Sequence, residues 1–313
     1  MKTGIVVKST GSWYMVRQPD GQITECRIRG KFRTKGLRTT NPIAVGDSVT
    51  FDVDSTTGQG LIQSIGERRN YIIRKATNLS KEAHILAANI DQAILVVTLA
   101  SPRTFTQFID RFLATAEAYR VPTILVFNKI DQYNKQLAAN LDSLIAIYQK
   151  IGYQCIRTSM STGEGIDQLR TLLQHKLTLL AGHSGVGKTT IVNALNPILH
   201  LRTAEISDSH DSGMHTTTYP EMHHIDNDTY IIDSPGIKGF GSIEMSRTEI
   251  SHYFPELFTE SANCQFCNCT HTHEPKCAVK QAVSDGRISQ SRYNSYLSLL
   301  NDEGADKYRQ SID

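Results

Sequence analysis

Hydrophobic and polar residues alternate in short runs through the first 65 residues. Gly4–Lys8, Trp13–Arg17, Ile23–Ile28, Ser48–Val53 and Gly60–Ile65 each read as a strand. Turn signals such as Pro19-Asp20-Gly21, Gly46-Asp47 and Thr57-Gly58 separate them. Five short strands predict a small β-barrel, and the OB-fold is the commonest five-stranded one. From about residue 85 the pattern changes. Ala93–Leu99 and Thr123–Phe127 are apolar runs of the kind found in buried parallel strands. Between them Phe105, Phe108, Ile109, Phe112, Leu113 and Ala116 recur at helical spacing. Leu137, Leu141, Leu144, Ile145 and Tyr148 predict a second helix, Tyr153–Ile156 is strand-like, and strands follow at Leu177–Ala181 and Tyr230–Ile232. This alternation predicts a βαβ-type sheet with helices on both faces. Farther on, Val279, Ala282, Val283, Tyr293, Tyr296, Leu297 and Leu300 predict helix over Ala278–Asn301. The expected fold is therefore multidomain: an OB-type barrel over 1–70, a central α/β unit over 71–255 and a small α-rich unit over 256–313.

Composition sharpens this picture in one place. The chain has 313 residues, 39% of them hydrophobic, which is ordinary for a globular protein and argues against disorder. Ala93–Leu99, its longest apolar run, is far too short to span a bilayer, and no signal-peptide core follows Met1. A monomeric cytoplasmic protein with no membrane partner is the expectation. The net charge of +2 hides +7 over residues 1–75, −3 over 76–255 and −2 over 256–313. Much of the excess lies in Arg27, Arg29, Lys31, Arg33, Lys35 and Arg38, six cations in 12 residues with no acid. A basic segment on an OB barrel is a natural surface for tracking RNA phosphates.

The central unit carries nucleotide chemistry. Gly182-His183-Ser184-Gly185-Val186-Gly187-Lys188-Thr189 fits the P-loop pattern, follows a predicted strand and opens a helix over Thr189–Leu195. Glycines let successive N–H groups point at phosphates, and the helix N-terminus adds its partial positive charge. Lys188 would reach the β/γ-phosphates and the Thr189 hydroxyl would ligate Mg²⁺, with Thr190 beside it in the nucleotide site. Asn128-Lys129-Ile130-Asp131 supplies the base reader. A carboxylate offers only acceptors, so Asp131 would take N1–H and N2–H₂ of guanine, a pair adenine lacks. Thr158-Ser159-Met160 is placed to support the base through backbone contacts, with Ser159 and Met160 as binding residues. Asp233-Ser234-Pro235-Gly236 fits D-x-x-G at a strand end: Asp233 would hold Mg²⁺ through water and the Gly236 amide would sense the γ-phosphate. Gly213-Met214-His215-Thr216-Thr217-Thr218 is the candidate first switch, with Thr217 completing the Mg²⁺ shell.

The order of these motifs is unusual. Ras-like GTPases run P-loop, switch threonine, D-x-x-G, N-K-x-D, whereas here the base reader comes first. Circular permutation allows the same sheet to form. The second switch then leads directly into the C-terminal segment. There Cys264, Cys269, His271 and Cys277 offer four metal ligands in 14 residues, enough for a tetrahedral zinc site that folds a small domain. Cys267 and His273 lie within the same cluster, so the chemistry alone leaves the ligand choice open.

The permuted order, the basic barrel and the Cys/His cluster together resemble the ribosome-small-subunit-dependent GTPase A family (RsgA, also called YjeQ). Supporting runs are Arg68-Arg69-Asn70, Glu274-Pro275, Gly286-Arg287-Ile288-Ser289 and Ser291-Arg292-Tyr293, and the likeness covers essentially all of the chain. The resemblance implies a late assembly factor that binds the small ribosomal subunit and its rRNA near the decoding region. It further implies slow GTP hydrolysis alone, faster hydrolysis on the subunit, and then release. It implies zinc on Cys264, Cys269, His271 and Cys277, with Cys267 and His273 as bystanders. The catalytic glutamine that Ras-like switches place after the D-x-x-G glycine is Ile237 here, which cannot orient water. His215 is the candidate for that role, beside Lys188 and Thr189. Met214 stands where the family pattern usually has a basic residue, which removes a cationic contact from this switch.

Overall fold

The structure, a computed structural model, describes residues 1–28, 42–75, 83–202, 219–235 and 245–308. Strands β1 (Lys2–Ser9), β2 (Tyr14–Arg17), β3 (Ile23–Ile28), β4 (Ser48–Val53) and β5 (Gly60–Ile65) close into a five-stranded barrel. Its one parallel pair, β3 with β5, is flanked by antiparallel pairs on all sides. Alternation drives the closure: Val6, Tyr14, Val16, Cys26, Val49, Phe51 and Ile62 all point inward and form one core. Each such side chain contributes roughly 1.5–3 kcal/mol on full burial.

A hairpin follows, β6 (Tyr71–Lys75) with β7 (Ala83–Ala88). The α/β unit then runs β8 (Gln92–Val97), α1 (Thr106–Ala118), β9 (Thr123–Phe127), α2 (Lys135–Ile151), β10 (Gln154–Arg157), α3 (Ile166–Leu173), β11 (Leu177–Gly182), α4 (Lys188–Leu195), β12 (Glu221–Asp226) and β13 (Thr229–Asp233). Spatially the order is β10-β9-β8-β11-β13-β12, with only β12 antiparallel to its neighbour. Strand β8 is buried along its whole length because helices cover both faces of the sheet. One face packs on α1 and α2 through Phe108, Phe112, Leu113, Leu141 and Ile145. The other packs on α3 and α4 through Leu169, Leu173, Ile191, Val192 and Leu195.

Barrel and sheet meet along a defined seam. Lys8 pairs across the ladder with Glu221, and their side chains form an ion pair at 2.8 Å. Arg17 lies over the Tyr230 ring at 4.2 Å. The Arg68-Arg69-Asn70 run acts as the clasp. Arg68 grips fully buried Asp47 through Nε at 2.7 Å and Nη2 at 2.6 Å, and also donates to the Pro42 carbonyl. Arg69 holds Asp91 at 2.7 Å, and Asn70 donates to the Ile90 carbonyl. Gly46, at φ +94°, lets the barrel backbone approach the Ala88 carbonyl too closely for any Cβ.

The C-terminal unit comprises α5 (Pro255–Ser261), α6 (Ala278–Ser284) and α7 (Gln290–Tyr308). The continuous helical pattern over Ala278–Asn301 is thus two helices. Gly286, at φ +71°, turns the chain between them so that Ile288 can enter the core. That core includes Phe254, Leu257, Val279, Tyr296 and Leu300, and it also takes in Ala114 from α1. A buried charge cluster joins the same two units. Arg292 on α7, 1% exposed, donates to Asp110 on α1 at 2.8 Å and to both Glu256 oxygens at 2.6 and 3.1 Å. Tyr148 on α2 donates to the same Asp110 oxygen at 2.8 Å.

Removing one partner of a buried, hydrogen-bonded ion pair leaves a charge uncompensated. Arg292→Met should therefore destabilise the protein by about 3–5 kcal/mol. The reading is a lower urea midpoint by far-UV circular dichroism, and an unchanged midpoint would rule out a structural role for the cluster.

Candidate nucleotide site and metal centre

Open parallel sheets bind ligands outside the carboxyl ends of their strands. Every described nucleotide motif of this chain lies there. The turn from β11 into α4 begins at Gly182, φ +146°, whose α-carbon abuts the Val96 carbonyl with no room for a Cβ. Gly185 and Gly187 follow at φ +82° and +99°, so each glycine occupies a conformation that other residues adopt only under strain. The loop amides and the α4 N-terminus thus form a nest suited to phosphate. Lys188, 7% exposed, donates to the carbonyls of Gly182 at 3.0 Å and His183 at 2.9 Å. Burial pushes its ammonium down to about 8, opposed by nearby Asp233. Phe108 of α1 stacks on the His183 ring at 3.9 Å and steadies the loop from outside. Ser184, Gly185 and Thr189 are half-buried around the same turn, Val186 packs beneath it, and Thr190 is exposed beyond it.

Asn128 at the end of β9 is 1% exposed and ties three loops together. Its Nδ2 donates to the Val186 carbonyl at 2.8 Å, and its Oδ1 accepts from Thr158 at 3.0 Å. A Cβ on Gly187 would collide with that Nδ2. Tyr133 donates to the Asn128 carbonyl at 2.9 Å while accepting from the Leu99 amide at 2.7 Å. Lys129 takes left-handed backbone angles, φ +61°, and its ammonium donates to the Ser101 carbonyl at 2.8 Å. Burial lowers the Lys129 pKa, and Asp131 works against that shift.

Asp131 itself is exposed, with one oxygen accepting from Ser159 at 2.6 Å and the other from Ser161 at 2.9 Å. The Ser159 bond leads in holding its carboxyl below the usual range, with burial opposing and Ser161 adding to the effect. The carboxylate is therefore ionised and fixed in orientation, as a reader of paired N–H donors must be. Ser159 was expected to support the base through its backbone; in the structure it is the hydroxyl that engages Asp131. Ser161 and Tyr133 were not singled out as site residues, because lone hydroxyls carry no spacing signal; Thr158, expected in the base-supporting run, places its hydroxyl on Asn128. Ile130 and Met160 are half-buried supports, Met160 packing on the α3 and α4 side of the sheet.

Asp233 ends β13, 1% exposed and in register with Leu180 of β11, which places it beside the P-loop. Ser234 anchors that corner by donating to the Leu180 carbonyl at 2.8 Å. Thr189, expected as a Mg²⁺ ligand, follows Lys188 at the start of α4, and Asp233 lies at the end of the strand beside β11. His215, Thr217, Met214, Gly236 and Ile237 lie outside the described residues, as do Arg29, Lys31, Arg33, Lys35 and Arg38. Arg27 is described, exposed on the barrel with its guanidinium over the Trp13 ring at 3.4 Å.

At the far end, one ligand atom from each of Cys264, Cys269, His271 and Cys277 lies within 4.8 Å of the others. Cys264 Sγ is 3.6 Å from His271 Nδ1 and 3.9 Å from Cys277 Sγ, and Cys277 Sγ is 3.4 Å from the same nitrogen. Those separations suit the corners of a tetrahedron about zinc. Burial pushes the Cys269 thiol up to about 12 and the His271 imidazole down. Burial therefore disfavours a bare Cys269 thiolate and favours the neutral imidazole that a metal takes. Cys267 and His273 are not in the cluster. Glu274 braces the ligand loop. Burial opposes its ionisation, but hydrogen bonds from Thr270 and Thr272 hold its carboxyl down at about 2. Tyr293 and Tyr296 of α7 donate to the His271 and Thr270 carbonyls, each at 2.6 Å.

Comparison with known proteins places the fold beside those of a family of GTPases. The RsgA GTPase family model matches residues 65–243, and the RsgA N-terminal domain model matches residues 3–62. The small ribosomal subunit biogenesis GTPase RsgA of Bacteroides fragilis is 56% identical over 306 residues, 98% of each chain. The protein of the same name from Flavobacterium psychrophilum is 53% identical, covering 99% of this chain and 95% of its own. The crystal structure of YjeQ from Thermotoga maritima superposes with a TM-score of 0.75 at 34% identity, over 96% of this chain and 98% of that one. YloQ, described as a circularly permuted GTPase, superposes at 0.71 with 29% identity, over 96% and 94% of the two chains.

The metal site is checked by elemental analysis. Purified protein should carry roughly one zinc per chain, and Cys269→Ala should lose it and become more easily digested in the C-terminal unit. Full zinc retention by that variant would count against the assigned ligand set.

Proposed function

The chain belongs to the RsgA GTPase family, and on that premise we propose that it hydrolyses GTP on the small ribosomal subunit during the subunit's late maturation and then leaves. The observation that carries this reading is the convergence of Asn128–Asp131, Thr158–Ser161, the P-loop and Asp233 at the carboxyl ends of adjacent parallel strands. Asp131 reads guanine N1–H and N2–H₂, with Ser159 and Ser161 holding its carboxylate in place. The P-loop residues Gly182, His183, Ser184, Gly185, Val186, Gly187, Lys188, Thr189 and Thr190 line the phosphates, with Lys188 swinging from backbone carbonyls onto phosphate oxygens. Thr189, Thr217 and Asp233 would hold magnesium, which when bound would neutralise phosphate charge. His215 positions the attacking water in place of the glutamine that Ile237 replaces, and the Gly236 amide senses the γ-phosphate.

The division of labour is a barrel unit (1–70) that meets rRNA through Arg27, Arg29, Lys31, Arg33, Lys35 and Arg38, a GTPase unit (71–255) and a zinc-folded unit (256–313). Ionic contact suits the +7 charge carried by residues 1–75. Zinc held by Cys264, Cys269, His271 and Cys277 has no open coordination position and serves folding rather than chemistry. No helix among the described residues is long and apolar enough to cross a membrane, and a monomer working in the cytoplasm fits the ribosomal partner.

GTP turnover measured alone and with purified small subunits tests the proposal. Turnover should be slow alone and rise on the order of 10²-fold with small subunits, the worth of one supplied transition-state group. Large subunits should have little effect. Tight GTP binding with no turnover in either condition would reduce the protein to a passive RNA-binding module.

A further inference from the structure

Trp13 is the only tryptophan of the chain. It sits where the β1–β2 turn enters β2, and its carbonyl accepts from Thr10 to close that turn. Along β2 and β3, Tyr14 faces Cys26 and Val16 faces Thr24, and all four are buried in the barrel. Trp13, Met15, Glu25 and Arg27 therefore occupy the outer face. The Arg27 guanidinium lies 3.4 Å above the Trp13 ring. Arg27 is exposed and forms no ion pair among the described residues, and the Trp13 indole N–H has no acceptor among them. Met15 continues the apolar surface at 36% exposure, opposite the lone acid Glu25.

A guanidinium stacked on an indole extends one flat π-surface and gives it positive charge. In OB-folds the outer surface of the second and third strands is where nucleic acids lie. Unpaired RNA bases are held by stacking on aromatic rings or arginine planes, whereas paired bases offer no free face. Arg27 is also the first cation of the acid-free basic run in the sequence, and its own guanidinium can meet a phosphate of the nucleotide seated on the ring. A cross-strand pair serving only as a sheet staple would have no need to remain open to solvent and free of a carboxylate partner.

We propose that the Trp13–Arg27 pair is a stacking platform for one unpaired base, so that the barrel engages a single-stranded or bulged RNA segment. This rests on the reading of the barrel as an rRNA-binding unit and adds which RNA feature it takes. The lone tryptophan makes the test direct. Full-length protein is titrated with a 5′-labelled single-stranded oligoribonucleotide and with a blunt RNA duplex of equal length, following tryptophan fluorescence and label anisotropy together. The single strand should quench Trp13 saturably, with the same midpoint as the anisotropy change, while the duplex binds without quenching. Trp13→Phe should keep most of the single-strand affinity and Trp13→Ala should lose about tenfold, each variant first matched to the parent by circular dichroism. Binding of the single strand without quenching, or equal quenching by the duplex, would overturn the platform and leave the RNA-binding reading standing. No binding of either RNA would overturn both.

Discussion

The side-chain amide of Asn128 is the contact on which the nucleotide site depends. It donates to the P-loop carbonyl of Val186 and accepts from Thr158, so one planar group fixes the spacing of three loops drawn from β9, β10 and β11. At 1% exposure, each of its bonds is made in a place where water cannot replace it. Gly187 must be glycine twice over, for its backbone angle and because a Cβ would strike that amide. The N-K-x-D turn and the P-loop are thereby held side by side, although they lie in reversed order along the chain. The permuted motif order changes which loops are joined covalently, while the amide bridge joins the base-reader turn to the P-loop across that break in order.

What permutation does alter is the wiring to the rest of the molecule. The D-x-x-G strand, β13, now leads into the C-terminal unit, and β12 beside it carries Glu221 to the barrel strand β1. Helix α1 links the remaining pair of sites. Phe108 stacks on the P-loop His183, and two residues later Asp110 pairs with Arg292 of α7. Both flanking units are thus seated on elements that touch the nucleotide site, through polar contacts with fixed geometry. The clasp of Arg68 on Asp47 gives the barrel a further firm attachment.

Much of this was legible in the sequence where periodicity and motif spacing are strong. Strands β3, β4, β5 and β9 fall on the ranges that alternation or apolar runs predict. The P-loop and N-K-x-D come together as motif and strand context imply, and the four Cys/His side chains that cluster are those the family resemblance implies, a choice their spacing alone leaves open. The hairpin β6–β7 was missed because Ala83–Ala88, with its three alanines and a histidine, carries little strand propensity. Strand β12, with adjacent histidines, looks like loop until β13 and β1 pair on its two edges. Nothing in the sequence near Arg292 points to its partners, because only the tertiary fold brings Asp110 and Glu256, far away in sequence, around it. Ser161 is illegible for the same reason: its role comes from a carboxylate 30 residues earlier.

The central claim is that a site assembled from permuted loops reads guanine through Asp131. Nucleotide competition on Asp131→Asn tests it most directly. Xanthine carries a carbonyl oxygen where guanine carries its amino group, and an asparagine amide can donate to that oxygen where a carboxylate cannot. GTP affinity should fall by at least about 10²-fold while xanthosine triphosphate becomes the preferred ligand. Undiminished GTP binding, with no gain for the xanthine nucleotide, would contradict the assignment.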